Sequence, residues 1–242
     1  MLHKPIADPD CFARRWVACF DWLGFSRFIY SHEDWIKPYI EYSSIIDRID
    51  PNAKRYNIKT TWFSDTYIFY TDDDSFEAYG KLKVFATDFI DHALKQDIPM
   101  CGAMSSGELY ADEKGNVFFG KALIDAYSYT ENQDWIGFVL CPSAIKRIEE
   151  IKSEKGTKAE IYDRLDFQYW EIPLKKSRDK SDHTFENNLL AYRLGRALGG
   201  HGTREGCIFI LERLRNKAEK DEYRVKYQRT IDFLQKTKTV SG

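Results

Sequence analysis

Short apolar runs, each broken by a small or charged residue, dominate the first half of the chain. Val17 to Phe20 is apolar and stops at Asp21, and Gly24 then offers a turn ahead of the long segment Phe28 to Ile49. That pattern predicts strand, tight turn, helix. The runs Ile58–Phe63 and Thr66–Thr71 are rich in aromatic and β-branched residues and are separated only by Ser64-Asp65. They predict a hairpin with Asp65 at its tip. Apolar positions recur at helical spacing over Trp35–Ile49 and over Ser75–Leu94, the second with Ser75 placed as its cap. Met100–Ser106 with Leu109–Ala111 predicts a strand or hairpin, Lys121–Asn132 a helix, Trp135–Leu140 a strand, and Pro142–Lys155 a helix with proline near its start.

Residues 153–182 carry clusters of Lys, Asp and Glu around one strand-like island, Phe167–Ile172, which predicts an edge strand between solvated loops. From Phe185 to Lys236 the chain reads as helical, interrupted by Gly199-Gly200-His201-Gly202, where His201 suits a turn better than a catalytic role. The last helix, Glu222–Gln235, places Tyr223, Val225, Tyr227, Ile231 and Leu234 among basic residues. They form a face expected to dock on the domain or on a partner subunit. These elements together predict an α+β fold of the ferredoxin-like kind.

The chain has 242 residues, 43% of them hydrophobic, enough to bury a full core. Its formal net charge of −2, with both signs interspersed, argues against nucleic acid as a partner. Cys11, Cys19, Cys101, Cys141 and Cys207 show no Cys-x-x-Cys spacing, which fits reduced thiols rather than a disulfide framework or zinc site. No apolar stretch approaches the roughly 18 residues of a membrane span, and no secretory leader is evident. The expectation is a cytoplasmic protein with no membrane contact.

Asp21 and Asp65 are the candidate chemistry. A carboxylate at the end of an apolar strand is costly to desolvate unless a cation offsets the cost, and two such groups suggest a shared metal or phosphate site. Each alone has a plainer explanation: Asp21 capping the following helix, Asp65 serving the turn. A third element, Ile98-Pro-Met-Cys-Gly-Ala-Met-Ser-Ser-Gly-Glu-Leu-Tyr110 followed by Asn116-Val-Phe-Phe-Gly-Lys-Ala-Leu-Ile-Asp-Ala-Tyr127, shifts the balance.

Taken in order, Asp21-Trp-Leu-Gly-Phe-Ser26, Ser64-Asp65, and Gly120 ahead of Ala122 and Ala126 resemble the class III nucleotidyl cyclase domain over residues 14–145. Within that superfamily the segments Gly102–Glu108 and Gly120–Tyr127 most resemble the bacterial pyrimidine cyclases of Pycsar anti-phage systems. The resemblance implies an enzyme that converts a nucleoside triphosphate, UTP or CTP, into a 3′,5′-cyclic nucleotide second messenger and pyrophosphate. It implies two ions, Mg2+ or Mn2+, held by Asp21, Asp65 and the Trp22 carbonyl, with nucleotide contacts at Gly24, Phe25, Ser26, Tyr56, Ser64 and Lys121. It further implies a head-to-tail homodimer, with base contacts near Tyr56 and Asn57, Met104–Ser106 and Asn116–Phe118. Residues 1–182 would be the cyclase domain and 183–242 a helical extension packed on it.

The chain also departs from the family pattern. Ile124 and Ser128 stand where animal-type cyclases carry an Asn and an Arg that stabilise the transition state, and Cys101 where many pyrimidine-cyclase-like relatives carry Arg. None can supply a fixed positive charge. Lys121 and Lys59 are the nearby cations, though solvated surface lysines are common. The alternative is therefore a cyclase-fold module that binds nucleotide or dimerises without turnover. A polymerase-like or diguanylate cyclase domain is weaker, because the hairpin reads Phe-Ser-Asp-Thr.

Overall fold

The computed structural model describes residues 11–155, 166–175, 185–195 and 204–237. The apolar run Val17–Phe20 is the middle of a longer strand, β1 (Phe12–Trp22). Its flanks extend because they meet a full-length antiparallel partner, β4 (Met100–Asp112), from Phe12↔Tyr110 to Trp22↔Met100. β4 runs unbroken through Gly107, so the hairpin alternative over 100–111 does not form. On its other side β1 pairs with β3 (Thr66–Tyr70), which forms the expected hairpin with β2 (Lys59–Phe63). Ser64 opens the two-residue turn with a left-handed φ of 56°.

The remaining strands are β5 (Val117–Phe119), β6 (Gly137–Leu140), β7 (Phe167–Glu171) and β8 (Asn188–Tyr192). Across the sheet the order is β2-β3-β1-β4-β6-β8-β7, with β5 paired to the far end of β4. Among the described strands only β4 and β6 pair in parallel. β7 lies at the edge, as its isolation between charged segments predicts.

Seven helices accompany these strands among the described residues: α1 (Phe25–Tyr30), α2 (Ile36–Tyr56), α3 (Phe76–Lys95), α4 (Lys121–Asn132), α5 (Pro142–Lys155), α6 (Arg204–Lys217) and α7 (Asp221–Lys236). Ser75 caps α3, its hydroxyl accepting from the Ala78 amide at 3.2 Å. α2 does not stop at Ile49. It continues through Pro51 and closes at Asn57, whose φ of 53° lets its amide reach back to the Lys54 carbonyl.

Successive residues of β1 point to opposite faces, and this alternation divides the core. Trp16, Ala18, Phe20 and Trp22 face α2 and α3, packing with Ile45, Ile49, Leu82, Phe85 and Phe89. Phe20 sits at the centre, its ring 5.1–5.7 Å from those of Phe69, Phe89 and Phe138. Truncating such a side chain to alanine costs about 3–5 kcal/mol. Val17 and Cys19 take the other face with Leu109 and Ala111, covered by Ala122 and Ala126 of α4. α4 reaches close to the sheet because Gly120 precedes it: at φ 156° a Cβ there would lie 2.3 Å from the Glu108 carbonyl oxygen.

The continuous helix expected from Phe185 is corrected at 188–192. Those residues form β8, which enters the sheet between β6 and β7 and buries Leu189 and Ala191 completely. Partners distant in sequence decide the outcome there: β6 needs a neighbour, and the fully buried Asp91 of α3 accepts from the Tyr192 hydroxyl and the Gly195 amide, both at 2.8 Å. α7 docks with Tyr227, Ile231, Phe233 and Leu234 buried, whereas Val225, expected on the packing face, is 44% exposed. Gly199–Gly202, including His201, lie outside the described residues. All five cysteines are free, and Cys19, Cys101, Cys141 and Cys207 are buried. No helix among the described residues is long and apolar enough to cross a membrane.

Candidate active site

β1 ends at Trp22 because Gly24, at φ 84°, turns the chain into α1. Asp21 is thus the last residue of β1 on the face covered by α4. The β2–β3 turn brings Asp65 to it. The Trp22 amide donates to the Asp65 carbonyl at 3.0 Å, and Asp21 stands opposite Thr66 in the β1–β3 register. A second backbone bond, from the Leu23 amide to the Pro99 carbonyl at 2.9 Å, fixes the other side of the same turn. The hairpin tip is held in place by Tyr42 of α2, whose hydroxyl donates to the Ser64 carbonyl at 2.7 Å.

The two carboxylates are half-buried, and neither forms an ion pair or a side-chain hydrogen bond among the described residues. Burial lifts the Asp21 carboxyl to about 6, and repulsion from Asp65 and then Glu131 adds to it, against a smaller opposing pull from Lys175 and Lys226. A partly buried carboxylate with two further carboxylates acting on it is chemically suited to a cation. Magnesium takes one or two carboxylates and fills the rest of its octahedron with phosphate oxygens and water. The described residues contain no cluster of three or more His, Cys, Asp or Glu that would make an all-protein cage. Asp21 and Asp65 are the two carboxylates that this turn could offer such an ion.

Gly24, Phe25 and Ser26 stand at the start of α1 beside this pair, and Ser64 precedes Asp65 in the turn. Tyr56 and Lys121 lie elsewhere in the same chain. Tyr56 ends α2 at the open end of the hairpin, near the Lys59↔Tyr70 pair, four ladder steps or roughly 13 Å from the tip. Lys121 is 86% exposed and pairs with Glu108 at 3.4 Å, and Glu108 lies seven residues along β4 from Cys101, the residue opposite Asp21. Lys59 pairs with Glu113 at 3.6 Å.

The departures from the family pattern take definite places. Cys101 faces Asp21 across the β1–β4 ladder, but its thiol points inward, donating to the Trp135 carbonyl, and burial pushes it up to about 12. It presents neither charge nor open space to a phosphate. Ile124 is exposed on the outer face of α4, and Ser128 follows one turn later. Of the surfaces expected to read a base, Met104–Ser106 are buried, with the Ser105 hydroxyl donating to the Ala122 carbonyl at 2.6 Å. That expectation is corrected: the strand continues through them under α4 and α5. Asn116 and Val117 remain exposed.

Two contributors escaped the sequence pattern. Glu131 of α4 acts on Asp21; its spacing of seven from Ile124 and four from Tyr127 places it on the same helix face, which was the available signal. Tyr42 carried none, because its role depends on a contact 22 residues away.

No protein-family model and no curated protein matches the sequence. Solved structures do match the fold. The chain is similar to the catalytic core of a rhodopsin-guanylyl cyclase with converted specificity, determined in complex with ATPalphaS, at a TM-score of 0.53 and 16% identity over 75% of this chain and 94% of that one. It is similar to the adenylyl cyclase CyaB from P. aeruginosa at a TM-score of 0.51 and 9% identity, over 75% and 93%. A bacterial light-regulated adenylyl cyclase aligns at 0.52 and 12% identity over 84% of this chain and 57% of that one. The chain has the mixed α+β fold of class III adenylyl and guanylyl cyclase catalytic domains.

Proposed function

We propose that this protein is a metal-dependent nucleotidyl cyclase, converting a nucleoside triphosphate to a 3′,5′-cyclic nucleotide and pyrophosphate. One observation carries the reading: a fold of the cyclase kind holds Asp21 and Asp65 together, through the Trp22–Asp65 backbone bond, with no ion pair to either among the described residues. Phosphoryl transfer asks mainly for positioning and charge neutralisation. Two divalent ions, Mg2+ or Mn2+, bound by Asp21, Asp65 and the Trp22 carbonyl would neutralise the triphosphate and ease attack of the ribose 3′ hydroxyl on the α-phosphorus. The protein's own part is to hold the carboxylates on a rigid ladder, to lay the amides of Phe25 and Ser26 beside the phosphates, and to keep the hairpin tip in register through Tyr42.

The exposed surface beside this site supports a homodimer. The outer face of α4 leaves Ile124 at 66% exposure and Tyr127 at 46%, an apolar strip leading to Asp21. A second chain laid head to tail on it would bring its own Lys121 end toward the first chain's aspartates. UTP or CTP as substrate, and a role in anti-phage defence, are supported by the segments Gly102–Glu108 and Gly120–Tyr127 alone.

The buried thiol of Cys101 and the uncharged Ile124 and Ser128 favour a second reading, a cyclase-fold module that binds nucleotide without turnover. Incubating the purified protein with ATP, GTP, CTP and UTP in turn, plus manganese, and identifying products by mass spectrometry separates the two. A cyclic nucleotide absent from the Asp21→Asn, Asp65→Asn double variant supports the enzyme and names its base. Nucleotide binding with no product supports the module.

A further inference from the structure

Tyr67, two residues beyond Asp65 on β3, is fully buried. It stands opposite Phe20 in the β1–β3 register and opposite Trp62 in the hairpin, and its ring lies 5.4 Å from that of Phe89 and 6.3 Å from that of Tyr42. The core around it is built largely from phenylalanines, Phe20, Phe69, Phe89 and Phe138. A phenylalanine at 67 would fill the same space. The hydroxyl is the part of Tyr67 that packing does not explain.

That hydroxyl is enclosed and makes no hydrogen bond among the described residues. A buried tyrosine oxygen usually has a partner, and leaving one without destabilises the fold. Tyr42 is its neighbour, but the Tyr42 hydroxyl already donates to the Ser64 carbonyl at 2.7 Å. The Asp65 carboxylate is close enough for its charge to act on both phenols. Burial, then Tyr42 and then Asp65, push the Tyr67 hydroxyl up, so it stays a donor. Asp65 in turn has no side-chain hydrogen bond among the described residues. A donor and an acceptor thus sit near each other without a bond between them.

We infer that Tyr67 is a positioning residue of the metal site: its hydroxyl donates to the Asp65 carboxylate oxygen that a bound cation leaves free, a bond made in the loaded protein and absent from the metal-free one. The inference rests on the metal reading of Asp21 and Asp65. Carboxylates that bind metals are themselves held by hydrogen bonds from the protein, which orient them toward the ion. On this account the two phenols divide the work. Tyr42 fixes the backbone of the hairpin tip, and Tyr67 fixes the side chain that the tip carries. The metal-free fold tolerates an unmet hydroxyl because loading satisfies it.

The test is Tyr67→Phe in the full chain, which keeps the ring and removes only the oxygen. Followed by circular dichroism in EDTA, the variant should melt at or above the wild type, because an unmet polar group is gone. With Mn2+ as the sole added ligand, the concentration giving half of the melting shift should rise about tenfold, the scale of loss when a group behind a metal ligand is removed. The two effects have opposite signs, which lost packing would not produce. A variant that melts below the wild type in EDTA would show the hydroxyl bonded without metal, to Tyr42; one with the wild-type Mn2+ response would show that it does not act on Asp65. Either result overturns the inference and leaves the metal site standing. A wild type that gains no more from Mn2+ than the Asp21→Asn, Asp65→Asn double variant would remove the metal reading itself, and the inference with it. None of these readouts depends on turnover.

Discussion

Replacing Asp21 by asparagine should stabilise the metal-free protein while removing its chemistry. The carboxyl is lifted from 3.8 to about 6, chiefly by burial and then by Asp65 and Glu131. At 1.36 kcal/mol per tenfold change in affinity for the proton, that rise is worth at most about 3 kcal/mol. Asp21 keeps some contact with solvent, so about 1–2 kcal/mol is the realistic figure. The sign follows from linkage: the folded group holds its proton to higher pH than the unfolded one, so the penalty is absent below pH 3.8 and complete above about 6. Asparagine has nearly the same shape and no charge, and Asp21 has no side-chain hydrogen bond to lose among the described residues. Melting followed by circular dichroism in EDTA should place Asp21→Asn about 2–8 °C above the wild type at pH 7.5, the gap closing as pH falls to 4. Millimolar manganese should raise the wild type alone. A variant no more stable than the wild type at pH 7.5, or a gap that does not change with pH, would refute the account of the site as a centre of uncompensated negative charge.

Asp65→Asn should abolish cyclic nucleotide formation with the melting temperature within a few degrees of wild type; wild-type turnover would remove Asp65 from the metal site. Thr230 accepts from the Ile136 amide at 3.0 Å and donates to the Ile136 carbonyl at 2.8 Å, so Thr230→Val leaves two buried backbone groups unpaired and should cost about 1–3 kcal/mol in urea unfolding. At pH 8, native alkylation read by peptide mass spectrometry should modify Cys11 alone, since the other four thiols are buried and Cys19, Cys101 and Cys207 are pushed up to about 12; rapid labelling of Cys101 would contradict its placement. Ile124→Glu combined with Tyr127→Glu should shift the sedimentation of any homodimer to that of a monomer, and an unchanged profile would place the interface elsewhere.

The parts of this molecule legible in sequence were those decided locally. A run of apolar residues ending at Asp21, a glycine able to take φ 84° three positions on, and a two-residue turn between aromatic strands carry their geometry with them. Ser75 announced its cap in the same way. What stayed hidden was decided by partners far along the chain. β8 reads as helix because nothing near Leu189 reveals that β6 lacks a neighbour. The full reach of β1, out to Phe12, depends on the length of β4. Met104–Ser106 looked available because the helices that cover them lie beyond residue 120. Cys101 was recognisable as a missing cation but not as an inward-facing thiol, since that turns on a carbonyl 34 residues later.

The place of β8 has a consequence for how the chain acquires its structure as it leaves the ribosome. Synthesis delivers β6 and then β7, yet β7 makes no ladder with β6; β6 pairs with β4 on one side and with β8 on the other, β7 pairs with β8, and β8 is made after both. Until residue 192 emerges, the far edge of Gly137–Leu140 and the Phe167–Glu171 segment both wait for a strand partner, and such open edges are the kind of surface that recruits other chains. Pairing β1 with β4 across 11 positions can be complete well before that. The half of the protein around Asp21 and Asp65 is thus assembled early, and the far side of the sheet is sealed in one late step, when β8 slides between two waiting edges.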